Sequence, residues 1–177
     1  LSISANISSK YSEQTVPDGY LNCYEASGMR KSHFNYKDYK RKEDLAALVN
    51  IEQTLRASDL VTLTLFYARN ASRAFIAKTG TDFEDREVFG ESLTKFIVIC
   101  DHIYTLKDIQ LTGRHYWKAW DVEWGASLST TRSDEPDRRQ MLFQRASDGR
   151  LHFFTNNLET YRYFGALQEN ELSMDLR

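Results

Sequence analysis

Residues 111–130, LTGRHYWKAWDVEWGASLST, hold all three tryptophans of the chain, and their reading decides the fold class. With period two, Tyr116, Trp120, Val122, Trp124, Ala126 and Leu128 share one face, and His115, Asp121, Glu123, Ser127 and Ser129 share the other. That is the pattern of a long half-buried strand. Residues 103–111 (IYTLKDIQL) and 138–145 (RRQMLFQR) flank it, with Thr112-Gly113 and the polar run 131–137 as joints, which predicts a bent antiparallel sheet.

Working outward, 177 residues suffice for one domain with a core of its own. The net charge of −2 speaks against a general polyanion binder. No apolar run approaches the roughly 20 residues of a membrane-spanning helix; a soluble protein is expected, with no transmembrane segment. Cys23 and Cys100 lie far apart without metal-ligand spacing, so no zinc site is expected and a reducing, cytoplasmic location fits. Two glycosylation triplets, at Asn6 and Asn70, carry little weight without a signal peptide.

In chain order, residues 1–22 are rich in Ser and Asn and read as a draped arm. Residues 30–42 (RKSHFNYKDYKRK) interleave six basic residues with Phe34, Tyr36 and Tyr39, a composition that can grip phosphates and stack bases. Against it stands a solvated approach to the next helix. Residues 43–56 place Leu45, Leu48, Val49 and Leu55 near one helical stripe. Residues 60–68 (LVTLTLFYA) fit either a strand or a short helix. Residues 72–77 read as a short strand, and Asp82 with Asp85 resembles a cap for a helix over 84–98 built on Val88, Phe89, Leu93, Phe96 and Ile97. Ser147-Asp148-Gly149 signals a tight turn, 151–155 a last strand, 158–164 a short helix, and the polar end a frayed tail. Helices first and antiparallel strands later predict an α+β domain.

The run 52–60 (EQTLRASDL) leading to Leu65-Phe66-Tyr67-Ala68-Arg69-Asn70-Ala71 resembles the opening of the SnoaL-like, NTF2-like superfamily. Residues 81–87, His102-Ile103 and Asp148-Gly149-Arg150-Leu151 resemble its later signatures in the same order. The resemblance implies an NTF2-like cone, with N-terminal helices packed on a strongly curved antiparallel sheet, and makes 60–67 helical. The implied organisation is an arm at 1–42, the domain at 43–167 and a polar tail at 168–177.

It further implies a small cofactor-independent lyase or isomerase, of dehydratase or cyclase type, acting on a hydrophobic metabolite in an apolar pocket. His102 matches the strand-start histidine that serves as acid or base, with Asp121 as its orienting carboxylate. The alternatives are a histidine satisfied by a neighbouring carbonyl and an exposed carboxylate beside Glu123. Tyr67, Trp117, Trp120 and Trp124 would shape the pocket, or fill a core, and Asn156 and Glu159 would stand at its rim. The isomerase base position holds Phe75 and a helix tyrosine position holds Ile51, so steroid-isomerase chemistry is not implied. A homodimer through the face around His115, Trp117 and Asp121 is expected. The competing reading is a non-catalytic NTF2-like module whose segment 30–42 contacts RNA, a membrane surface or another protein.

Overall fold

The computed structural model describes residues 1–24, 26–28, 30–56, 59–82, 93–146, 148–154 and 160–177. The strands are β1 (Ser2–Tyr24), β2 (Arg30–Arg56), β3 (Asp59–Asp82), β4 (Thr94–Trp117), β5 (Trp120–Arg145), β6 (Leu151–Phe153) and β7 (Tyr161–Leu176). They form one antiparallel sheet in the order β1-β2-β3-β4-β5, with β6 and β7 in tandem along the free edge of β5. Among the described residues there is no helix.

This corrects the α+β expectation: there is no cone with N-terminal helices among the described residues. Residues 43–56, expected as a covering helix, are the second half of β2, and 60–67 are strand in β3. Of the helix expected over 84–98, residues 94–98 open β4 and 84–92 lie outside the described residues. Residues 161–164, expected as the end of a helix, begin β7. The physical reason is that 43–56 carries two periods at once. Leu45, Ala47, Val49 and Ile51 alternate as cleanly as Leu45, Leu48, Val49 and Leu55 recur helically. Antiparallel partners on both sides, Ser9 to Ile3 on β1 and Arg69 to Leu63 on β3, select the strand over its helix-favouring composition.

The stretch 111–130 is two strands rather than one. It folds back at Lys118-Ala119, where Lys118 adopts a positive φ of 57°, and Trp117 pairs with Trp120. Thr112-Gly113, expected as a joint, is mid-strand in β4. Gly113 is buried because the Trp124 indole lies across it, in the space a side chain would fill. The turn expected near 148 is present: Gly149 has φ 76° and its N–H donates to the Ala146 carbonyl at 2.9 Å. Both prolines sit where the ladder shifts register, Pro17 between Val16 and Gly19 and Pro136 between Glu135 and Arg138, positions where a missing N–H costs no ladder bond.

Residues 2–24, expected to drape, run in register with β2, and 166–176 run in register with β5. Strands of up to 27 residues are several times the usual length of about 5–6. The sheet has one layer, and its exposed area is 12,638 Å². A globular chain of 20.6 kDa would expose about 8,900 Å². Phe34 and Leu142 are the buried apolar side chains among the described residues. Side chains on both sides of this sheet therefore meet their surroundings rather than a core.

Two-sided pairing has a measurable consequence. In the single chain, before its outer edges meet further strands, hydrogen exchange should be slower at amides of β2, β3, β4 and β5, bonded on both edges, than along the free edges of β1 and β7. Uniform exchange across the six long strands would contradict this register.

Candidate functional site

Pairing across the sheet assigns every side chain to one of two faces. On one face β2 presents Leu45, Ala47, Val49, Ile51 and Gln53, with Leu55 at the register shift beyond, and β3 presents Asp59, Val61, Leu63, Leu65 and Tyr67. β4 continues with Ile109, Leu111, His115 and Trp117, and β5 with Trp120, Val122, Trp124, Ala126 and Leu128. β1 adds Ile3, Ala5 and Ile7 at one edge, and β7 adds Leu172, Met174 and Leu176 at the other. One lateral row reads Ala5, Val49, Leu65, Ile109, Leu128, Leu172, apolar from edge to edge.

The reverse face at the same level is polar. Its rows include Ser4, Asn50, Thr64, Gln110, Ser127 and Ser173, then Ser2, Glu52, Thr62, Thr112, Gly125 and Asp175. Leu48, Leu60, Phe66 and Tyr116 are its larger apolar exceptions. Apolar residues outnumber polar ones so heavily on one face only because each strand alternates with period two.

The belt lies against the end of the sheet that has two-residue connections, 57–58 and 118–119. The other end carries the connections 25–29, 83–93 and 146–150. On β2, β3, β4 and β5 the belt occupies residues 45–55, 59–67, 109–117 and 120–128, nine to eleven residues each. Its upper edge lies at Ile7, Leu45, Tyr67, Ile109, Leu128 and Leu172, the last three in one lateral row. Aromatic side chains gather at its lower margin. Trp117 and Trp120 are 72% and 71% exposed, and Trp124 stacks on His115 at 6.4 Å while its Nε1–H donates to His115 Nε2 at 3.0 Å.

Four residues expected to shape a pocket, Tyr67, Trp117, Trp120 and Trp124, thus share the belt face. His102 and Asp121 lie on the reverse face and apart, since Asp121 pairs with Tyr116, fourteen residues along β4 from His102, or roughly 45 Å. Asn156 and Glu159 lie outside the described residues. His102 faces Ser133 Oγ at 2.9 Å and Glu135 at 3.8 Å, with the Tyr104 ring at 4.1 Å. It borders an open concavity of about 600 Å³ with Arg138, Tyr161 and Tyr163. Asp121 accepts from Arg114 Nη2 at 2.8 Å, and Arg114 also reaches Glu123 at 3.2 Å. Of the basic-aromatic segment, Phe34 is buried and Lys40 is paired with Asp38 at 2.8 Å.

Toward the long connections charges replace the belt. Arg73 donates to both Asp101 oxygens, at 2.7 and 3.2 Å, Arg41 pairs with Glu43 at 2.8 Å, and Arg132 with Asp134 at 2.7 Å. Asp137, beside Pro136 at the register shift, accepts from Arg139 Nε at 2.7 Å and from Arg162 Nε and Nη2 at 2.7 and 3.1 Å. Those two guanidiniums, Arg139 first, hold its carboxyl far below the usual carboxylate range. Burial raises the Cys100 thiol, and the Glu135 carboxylate adds to the effect. Among the described residues no group of three or more His, Cys, Asp or Glu side chains could hold a metal ion.

The chain matches no protein-family model and no curated protein. No helix of the described residues is long and apolar enough to cross a membrane, which leaves the strands as the elements whose surroundings need explaining.

The residues missed in the sequence are those at the two edges of the belt. Leu1, Ile3, Ala5 and Ile7 alternate with Ser2, Ser4, Asn6 and Ser8, and Leu172, Met174 and Leu176 alternate with Ser173 and Asp175. The period-two signal was there, in segments too polar in total to look structured.

The Asp137 clamp ties β5 to β7, and its pH dependence follows from the direction of the shift. A carboxyl whose folded value is depressed stabilises the fold fully above its unfolded value near ~3.9, and loses that contribution as the pH falls toward the folded value. A carbon-detected NMR titration should place the Asp137 midpoint well below the ordinary aspartate value, and Arg162→Gln should move it back up. An unshifted midpoint in the unsubstituted chain would remove the clamp.

Proposed function

We propose that this chain forms part of the wall of a transmembrane β-barrel, with the apolar belt against lipid acyl chains and the polar face turned to the barrel interior. The observation that carries this reading is the unbroken apolar band across six strands backed by a polar face at the same level.

Each feature of the belt has a reason in a bilayer. A tilted strand crosses the hydrocarbon layer in ~9–11 residues, the span found on β2 to β5. Tryptophans at the lower margin suit the interface, where an apolar ring and a polar N–H are both satisfied. Short turns at one end and long connections at the other are the usual asymmetry of these barrels. Antiparallel pairing satisfies backbone groups that lipid could not. The free edges of β1 and β7 then call for closure by further strands, from the same polypeptide or from other copies.

The reading assigns this chain a place in a membrane wall and a lumen-facing polar surface rather than a reaction. An acid-base lyase reading would need His102 and Asp121 to share one closed apolar cavity, and no geometry above favours it. A second copy laid over the belt, as in a soluble homodimer, would also cover apolar area. The nine-to-eleven-residue height favours lipid.

Adjacent residues on opposite faces give the decisive test. Leu63→Lys places a charge in the middle of the belt and should weaken folding into phosphatidylcholine vesicles by about 2–4 kcal/mol, read by urea titration of tryptophan emission. Thr64→Lys, one residue on and facing the interior, should change it by less than about 0.5 kcal/mol. Equal effects, or a chain that stays in solution as a dimer and does not float with vesicles, would rule the membrane reading out.

A further inference from the structure

Immediately above the belt, on the same face, the register brings basic side chains together. Arg69, Thr105 and Arg132 form one lateral row, and Lys107 lies one step below between Tyr67 and Thr130. One further step toward the long connections, Arg41 and Arg73 join Arg69 around a concavity of about 400 Å³. Arg41, Arg73 and Arg132 are neutralised by Glu43, Asp101 and Asp134. Among the described residues neither Arg69 nor Lys107 has an ion-pair partner.

We infer that Arg69 and Lys107 form a binding site for the phosphate of an anionic lipid headgroup in the leaflet on the long-connection side. This rests on the membrane reading above and adds the ligand. With acyl chains against Leu65, Ile109 and Leu128, the headgroup of the same lipid stands one or two residue pairs higher, at the level of Lys107 and Arg69. A guanidinium fork meets two phosphate oxygens at once and an ammonium supplies a second point charge. The Tyr67 and Thr105 hydroxyls stand beside them as further donors. Charge complementarity selects this occupant: an unpaired cation pair directly over an apolar surface suits a molecule that carries a phosphate on an acyl tail. A free phosphate would satisfy only the upper half of that surface.

The test uses the full chain refolded into phosphatidylcholine vesicles containing a minor fraction of phosphatidate. Electron spin resonance of spin-labelled phosphatidate and spin-labelled phosphatidylcholine reads which lipid is held at the protein surface. The unsubstituted chain should prefer phosphatidate, and Arg69→Gln and Lys107→Gln should each reduce that preference about fivefold. Arg150→Gln, far from the belt in the 146–150 connection, should leave it unchanged. Excess inorganic phosphate should not abolish the preference; if it does, the site takes a free anion and the lipid assignment is wrong. If both glutamine variants enter vesicles and keep the full preference, the inference falls while the membrane reading stands. If the unsubstituted chain enters no vesicle, both fall together.

Discussion

The lateral register of β2, β3, β4 and β5, continuous through the belt except for the shift at Leu55, is the constraint on which the rest depends. From Val49 and Leu65 to Ile109 and Leu128 each residue has a fixed partner, with no shift until the ladder between β4 and β5 reaches Ile103. Because side chains alternate, a slip of one residue on any strand would turn its apolar set to the polar face. The register therefore fixes the surroundings of the sheet as well as its hydrogen bonds. Its irregularities are all displaced toward the long connections, at Val16/Gly19, Ile99/Ile103 and Glu135/Arg138, apart from that at the β2 end beside Arg56.

The two halves of the sheet are consequently held by different physics. In the belt half, one face is apolar and the other polar. In the other half, cross-strand ion pairs such as Arg73–Asp101 and the Asp137 clamp accompany a small buried cluster on the reverse face. There Phe34 meets Phe96 edge to face at 5.7 Å beside the fully buried Leu142 and Thr94. Exposed ion pairs contribute little one at a time, so the buried cluster is the stronger tie, and it falls where the belt has ended.

The alternation of 120–128 was legible from the sequence, since apolar residues there recur every second position, whereas its antiparallel partner is 109–117 rather than the expected 103–111, of which 103–106 pair with 131–134. The turn was not legible, because Lys118-Ala119 carries none of the glycine or asparagine that marks most tight hairpins. The helical expectation for 43–56 arose because Ala, Leu, Glu and Gln favour helices wherever partners do not decide, and here β1 and β3 decide. The arm and tail were illegible for a different reason. Their serines, asparagines and acids face the polar side, and half a strand of polar residues resembles a solvated segment until the other half is counted separately.

The same logic explains why exposed aromatic residues suggested a ligand pocket. In a soluble domain a tryptophan-rich strand must be covered by the rest of the chain, so a cavity or core is the natural inference from Trp117, Trp120 and Trp124. A one-layer sheet removes that requirement, because the cover is the solvent in which the strand sits. With 12,638 Å² exposed the chain cannot bury these rings against itself, and their common face is shared by Leu128, Ile109 and Leu65 rather than by His102 or Asp121. The polar groups that looked like acid and base lie on the reverse face, where Arg114 reaches both Asp121 and Glu123 near the 118–119 turn. Aromatic and titratable residues adjacent in sequence are, by period two, on opposite sides of the wall.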